Sequence, residues 1–179
     1  VKVALGGLLE QPPDMVIAGI NHGSNLANDI PYSGTLSAAR EAAMLGLPAI
    51  GVSCCLLPQD WLRASRGEGI AHIGTAARFA VQMAAWLREN PLPKGCFLNV
   101  NVPNLPPEEL RGVRVTPQGY FHQRPQYRRR PTEGGENYTW EFCKERPHDR
   151  LQPDSDIALI KQGFLTVTPL TWQQTHQAC

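Results

Sequence analysis

The stretch DMVIAGINHGSNLANDIPYSGTLSAAREAAMLGLPAIGVS, residues 14–53, decides the fold. Met15–Ile20 and residues 49–53 are continuous apolar runs, which are typical of parallel strands that are buried on both faces. Between them, residues 35–45 have the composition of a helix, which a glycine and a proline end. This order predicts a right-handed βαβ unit, the building block of a doubly wound α/β sheet.

The alternation of helix and strand continues after this unit. Residues 70–89 have the apolar spacing of an amphipathic helix, and residues 96–103 are predicted to form a third buried strand. Further on, Pro-rich turns separate segments of alternating polarity, among them NYTWEF and the segment 156–170. Such alternation predicts half-exposed hairpins, so we expect an antiparallel extension after the α/β core.

Composition favours one globular domain. A chain of 179 residues with 42% hydrophobic residues can fill one core, and a net charge of +1 provides no global field for a nucleic-acid polymer or a membrane. The uncharged stretch of residues 42–58 is too short and too interrupted to cross a bilayer. The five cysteines lack metal-ligand spacing, which favours reduced thiols in a cytoplasmic protein; the adjacent Cys54 and Cys55 are interpreted as small core residues.

The loop of residues 21–35 is the candidate ligand site. It follows the carboxyl end of the first predicted strand, which is where open α/β sheets bind ligands. Ser33-Gly34-Thr35 opens a helix, whose free N–H groups and positive dipole end favour a phosphate or a carboxylate. Asn21 and Asn25 add amide oxygens, which suit a hard divalent cation or a phosphoryl group. The alternative interpretation is that these residues only form turns and cap the helix.

The loop lacks several features of known phosphate and metal sites. It contains neither a P-loop nor a dinucleotide-binding fingerprint. Asp29 is its only carboxylate, whereas a hydrolytic metal site usually has several anionic ligands. The loop by itself is therefore predicted to be only part of a metal site.

Residues 13–53, with the motifs G-I-N-x-G-x-N-L and Y-S-G-T, resemble the central block of the SurE family, which are metal-dependent phosphatases of nucleoside monophosphates. Further segments resemble the family in FLNVNVPNLP, RGVRVTPQG and DSDIALIKQGFLTVTPL. The resemblance implies a Rossmann-like three-layer core with a mostly parallel sheet and a β-hairpin extension. Residues 1–105 would be part of the core without its first strands, and residues 106–179 the extension and a C-terminal oligomerisation arm, swapped in a homodimer or homotetramer.

The resemblance also implies roles for the loop residues. Asn21 matches the family's metal-binding Asn, which implies one Mg²⁺ or Mn²⁺ per subunit. Asn25 and Ser33-Gly34-Thr35 match positions that line the phosphate pocket, so these four are expected to bind substrate, and Asn21, Ser33 and Thr35 to take part in catalysis. Where the family commonly has Gly-Asp-Asp after Asn-Leu, this chain has Ala27, Asn28 and Asp29.

The resemblance also implies that an Asp-Asp pair and a Ser help to hold the metal ion. None of these three ligands has a counterpart in this sequence. We therefore expect a 5'-nucleotidase that is nearly inactive as this chain alone, with an exposed sheet edge beside Met15–Ile20. Cleavage of 3'-nucleotides or polyphosphate stays open. So do two other functions: a noncatalytic protein that binds a phosphate ligand or supports an oligomer, and an α/β enzyme that binds a carboxylate through Ser33 and Thr35.

Overall fold

The computed structural model describes residues 1–56, 60, 66, 72–120, 126–132, 135–141 and 152–175. In these residues the chain forms strands β1 to β7 and helices α1 to α3, with bounds β1 Val16–His22, α1 Gly34–Met44, β2 Ala49–Cys55, α2 Ile73–Glu89, β3 Cys96–Pro103, β4 Val113–Val115, β5 Gln126–Thr132, β6 Gly135–Glu141, α3 Asp156–Ile160 and β7 Leu165–Thr171. Short turns of π-helix at Ala4–Leu8 and of 3-10 helix at Ala27–Tyr32 and Pro107–Glu109 complete the described elements.

Five strands form one mixed sheet in the order β1-β2-β3-β7-β4. β1, β2 and β3 are parallel, β7 runs antiparallel to β3, and β4 runs parallel to β7. Side chains alternate along a strand, and Gly51 contacts Leu36 of α1 whereas Ile50 and Val52 pack in the cluster that contains α2. The two long helices therefore lie on opposite faces, which confirms the predicted α/β fold with a mostly parallel sheet.

β1 is an edge strand. The prediction that Met15–Ile20 is buried on both faces is wrong, since Ile17 is 45% exposed and only β2 pairs with β1 among the described strands. The exposed edge that we expected beside this segment is present. β2 and β3 are buried almost throughout, as predicted.

The second half of the chain differs in part from the prediction. β5 and β6 form the expected antiparallel hairpin. The segment 156–170 is not a half-exposed hairpin. It contains α3, whose Ile157 and Ile160 pack on Leu26 and Cys55, and the largely buried β7, which lies between β3 and β4 in the main sheet. β4 and β7 also belong to the main sheet, so the sheet continues beyond residue 105. The division at that residue and the oligomerisation arm stay predictions.

Within the ranges that the structure describes, no helix is both long and apolar enough to cross a membrane. Cys54 and Cys55 lie in the core as predicted, with 0% and 7% of their surface exposed.

Candidate functional site

A β-bulge shapes the carboxyl end of β1. Ala18 and Asn21 pair with Gly51 and Ser53 of β2, so that two residues of β1 lie opposite a single residue of β2. Gly19, inside the bulge, has φ +124°, and a Cβ there would meet a carbonyl oxygen of β2. Only glycine fits this position, and the bulge sets the direction in which the next residues leave the sheet.

Asn21 lies directly after the bulge. Its half-buried side chain donates from Nδ2 to the carbonyl oxygen of Gly23 at 3.0 Å. This contact uses the amide's donor side, and no described residue donates to Oδ1. Asn21 therefore offers one neutral oxygen at the strand tip, and its role as a metal ligand stays a prediction; the neighbouring His22 is exposed.

Polar residues continue from the half-buried Asn21 across the sheet. Neighbouring strands place four of them side by side in the register Asn21, Ser53, Asn101 and Thr166. The last three are completely buried, and so is Asn99, which stands two residues before Asn101 on the same face. One face of the central strands is thus polar where the loop 23–33 covers it, and the other face packs on α2.

These residues hold Asn25 from three sides. Its backbone N–H donates to Oδ1 of Asn101 at 3.0 Å, and its carbonyl oxygen accepts from Nδ2 of Asn99 at 2.8 Å and of Asn101 at 3.1 Å. Its own Nδ2 donates to Oγ of Ser53 at 2.7 Å. Asn25 is only 6% exposed, so its observed contacts fix the loop on the sheet. Its role in binding substrate stays a prediction.

Ser33, Gly34 and Thr35 form the N-terminal end of α1, its mouth. Ser33 is the N-cap residue, and its Oγ accepts from the N–H of Leu36 at 3.1 Å. No described residue accepts a hydrogen bond from the N–H of Gly34 or Thr35. Since the first N–H groups of a helix have no partner inside it, these two donors and the positive dipole end can receive an anion.

The described residues do not fit a complete metal site. Asn21 supplies one amide oxygen, and the described parts of the chain contain no group of three or more His, Cys, Asp or Glu residues that could hold a metal ion. Mg²⁺ and Mn²⁺ prefer oxygen ligands that include carboxylates, so one neutral oxygen is too few.

The two adjacent thiols are poor nucleophiles. Burial, together with the charge of Asp60, raises the pKa of Cys54 to about 11. Burial, followed by the neighbouring Cys54 and Asp156, raises the pKa of Cys55 well above its usual value. The nucleophilic form of cysteine is the thiolate, so a thiol chemistry is disfavoured at this place.

Sequence reasoning missed Asn99, Asn101 and Asp156, which organise the loop. The signal was present in LNVNVP, where two Asn residues alternate with apolar residues inside a strand that is otherwise buried. Asp156 gives no comparable local signal, because its partners Ala27 and Gly119 are distant in the sequence. The sequence contains one basic stretch, RPQYRRRP at residues 124–131, which could be a phosphate or nucleotide contact or a solvated loop. It lies partly outside the described residues, and only the backbone pairing of its β5 portion is described.

Known proteins match nearly the whole chain. The family model described as survival protein SurE matches residues 1–125. A protein named 5'-nucleotidase SurE from Methylococcus capsulatus is 44% identical over 95% of this chain and 63% of that protein. A protein of the same name from Thermosynechococcus vestitus is 40% identical over 98% of this chain and 63% of its own length. This chain therefore spans about 63% of the length of these two relatives.

A solved structure has the same fold. The crystal structure of SurE protein from Aquifex aeolicus matches with a TM-score of 0.78 and 29% sequence identity. The match covers 99% of this chain and 66% of that chain.

Proposed function

Because this chain belongs to the SurE family, we propose that it carries the phosphate-binding part of a phosphatase that hydrolyses nucleoside 5'-monophosphates. The observation that carries the proposal is the loop 21–35, which begins at Oδ1 of Asn21 and ends at the N–H groups of Gly34 and Thr35; within the described parts of the chain none of these atoms has a hydrogen-bond partner. The names of the curated relatives support the same reaction.

The chain's own groups would bind and polarise the phosphate. The N–H groups of Gly34 and Thr35 and the hydroxyls of Ser33 and Thr35 would donate to phosphoryl oxygens. Such fixed donors stabilise the charge that develops on a phosphoryl group during its transfer, because they need no reorganisation when the reaction occurs. The hydrogen bonds from Asn99 and Asn101 to Asn25 support this geometry, because they keep the loop in one conformation.

We propose Mg²⁺ or Mn²⁺ as the cofactor, one ion per subunit, with Asn21 as the ligand that this chain supplies. The remaining ligands would come from outside the described residues, since these contain one amide oxygen and no acidic cluster. The proposal predicts that the 179 residues alone hydrolyse AMP weakly or not at all. Robust turnover by this chain would contradict it.

Hydrolysis of AMP by the full-length protein, with and without Mn²⁺, tests the proposal. Asn21→Ala should lower kcat/KM by about a hundredfold, which is typical of removing one group that contacts the reacting centre. Asn90→Ala is the matched control, since this exposed amide lies at the end of α2 and bonds only to Trp86 in the described part of the chain. Equal loss in both variants, or no stimulation by Mn²⁺, would contradict the proposal; 3'-AMP and polyphosphate serve as further substrates in the same assay.

A noncatalytic protein that binds a phosphate ligand is the second candidate. The incomplete set of metal donors among the residues that the structure describes favours it. It predicts that AMP and inorganic phosphate bind without turnover in the full-length protein. If simple carboxylates displace AMP and phosphate does not, the site belongs to a carboxylate-binding enzyme.

We also propose a cytoplasmic homodimer or homotetramer with a swapped C-terminal arm. A cavity of about 360 Å³ supports it, because its walls combine the apolar side chains of Ile30, Leu36, Phe97 and Leu170 with polar residues such as Arg40 and Gln118. An arm from a second copy would cover these walls. Light scattering of the full-length protein that gives a monomer mass would contradict this assembly.

A further inference from the structure

Asp156 connects the site loop to the C-terminal part of the chain. Its carboxylate is completely buried at the first residue of α3. Oδ2 accepts a hydrogen bond from the N–H of Ala27 at 3.0 Å, and Oδ1 accepts from the N–H groups of Gly119 at 2.8 Å and Ile157 at 2.7 Å. No cationic side chain in the described ranges pairs with it, so three backbone N–H groups compensate its charge.

Ala27 has a backbone conformation that only its distant partners explain. Its φ of +49° lies in the left-handed region, which residues other than glycine rarely adopt. The carbonyl oxygen of Ala27 accepts from Nε2 of Gln118 at 2.9 Å, while its N–H donates to Asp156. Both polar groups of Ala27 are thus held by residues far along the chain, which impose a conformation that is locally unfavourable.

Gly119 shows how closely these segments fit together. A Cβ at this position would lie 2.8 Å from Oδ1 of Asp156 and 2.8 Å from a methyl group of Ile157. A side chain there would push the N–H of residue 119 away from the carboxylate. The N–H of Asp156 also donates to the carbonyl oxygen of Pro117 at 3.1 Å, so the segment 117–119 and α3 form one support beneath the loop.

We propose that Asp156 is a positioning residue for the phosphate site. Asn99 and Asn101 hold the loop at Asn25, and Asp156 holds it again at Ala27, before the chain reaches Ser33. The contact to Ala27 therefore sets the path of the loop between the strand tip at Asn21 and the mouth of α1. The inference rests on the proposed function of that loop; Asp156 acts through Ala27 and does not contact the substrate.

Asp156→Asn in the full-length protein tests the inference. The amide keeps the shape of the carboxylate but has only one acceptor oxygen, so either Ala27 or Gly119 would lose its acceptor and face an NH₂ group. Misplacement of the helix mouth should lower kcat for AMP by about a hundredfold. The backbone amides of residues 24–33 should also exchange hydrogen faster, which reports the freed loop directly.

Two control variants separate positioning from stability. Asp154→Asn removes an exposed carboxylate two residues upstream, and Leu165→Ala weakens the core of β7, which packs in the cluster that contains α2. The inference predicts that neither control changes kcat or the exchange of residues 24–33 as Asp156→Asn does, even where Leu165→Ala lowers the melting temperature as much. Equal effects of Asp156→Asn and Leu165→Ala at equal loss of stability would overturn it.

The test remains decisive in two unfavourable cases. If the wild type does not hydrolyse AMP, the proposed reaction fails, and the positioning role is judged by hydrogen exchange and by binding of inorganic phosphate; unchanged values in Asp156→Asn overturn it. If Asp156→Asn does not fold, Gln118→Ala removes the donor to the Ala27 carbonyl instead. It should shift kcat and loop exchange in the same direction, and no shift would overturn the inference.

Discussion

At the scale of the residue, Asn101 illustrates how buried amides fix the site loop. One side chain accepts from the N–H of Asn25 and donates to its carbonyl oxygen, which satisfies both backbone groups of a residue that carries no secondary structure. Burial makes such contacts matter, because a buried polar group that loses its partner costs the full free energy of its desolvation.

Asn101→Leu should therefore lower the free energy of unfolding by about 1–3 kcal/mol, since the N–H of Asn25 would lose its acceptor without access to water. Urea unfolding measures this loss. Asn90→Leu is the matched control at an exposed position and should change the free energy by less than about 0.5 kcal/mol. If the free energy of unfolding falls no more in Asn101→Leu than in the control, the hydrogen bonds between Asn101 and Asn25 contribute nothing to the stability of the fold.

At the scale of the element, the first turn of α1 combines two roles of Ser33. Its oxygen caps the helix by accepting from Leu36, and its hydroxyl hydrogen is proposed to donate to phosphate. The two roles can be separated, because Asp caps a helix about as well as Ser but brings a negative charge to the anion site.

Ser33→Asp should leave the free energy of unfolding within about 1 kcal/mol of the wild type. An Asp carboxylate can accept from the N–H of Leu36 as the serine oxygen does, and its negative charge is favourable at the positive end of the helix dipole. It should abolish binding of inorganic phosphate, because the new charge repels the ligand. Calorimetry of phosphate binding and urea unfolding give the two values. Ser33→Ala is the counterpart, with a weaker helix and weaker but measurable binding; unchanged phosphate affinity in Ser33→Asp would place the anion elsewhere.

The elements also show how much the sequence can predict. The periodicity gave β3 with its observed bounds and placed β1, α1, β2 and α2 within a few residues, because each has one clear apolar pattern. It failed for β7, whose threonines alternate with Leu165 and Val167 as in a half-exposed strand. Thr166 and Thr168 are buried because β7 lies between β3 and β4, and the hydroxyl of Thr168 pairs with that of Thr116; contacts between distant residues of this kind leave no local signal.

The same limit applies to the site. Asn21, Asn25 and the helix mouth follow from their place after a strand and before a helix, which the chain order alone defines. The contact of Asp156 with Ala27 joins residues that are 129 positions apart, so no spacing rule predicts it.

At the scale of the whole molecule, the open edge of β1 has consequences for association. Among the described strands only β2 pairs with β1, and Ile17 on this strand is 45% exposed. Unpaired N–H and C=O groups on an apolar edge strand favour pairing with another chain.

The 179-residue chain should therefore self-associate with rising concentration, and Ile17→Lys should reduce this association, because a charge on an edge strand opposes pairing. Dynamic light scattering across a concentration series measures the effect. Val81→Lys adds the same charge at a residue of α2 that is 68% exposed and should leave association unchanged. Equal effects of both substitutions would mean that net charge, rather than the β1 edge, controls association.

The central claim is that the loop between the tip of β1 and the mouth of α1 binds phosphate. Titration of the isotope-labelled full-length protein with inorganic phosphate, followed by amide NMR, tests it most directly. We expect saturable shifts that are largest at the N–H groups of Gly34 and Thr35, with the first turn of α2 unaffected. Shifts that are absent from residues 21–35, or that are equally large at α2, would contradict the claim.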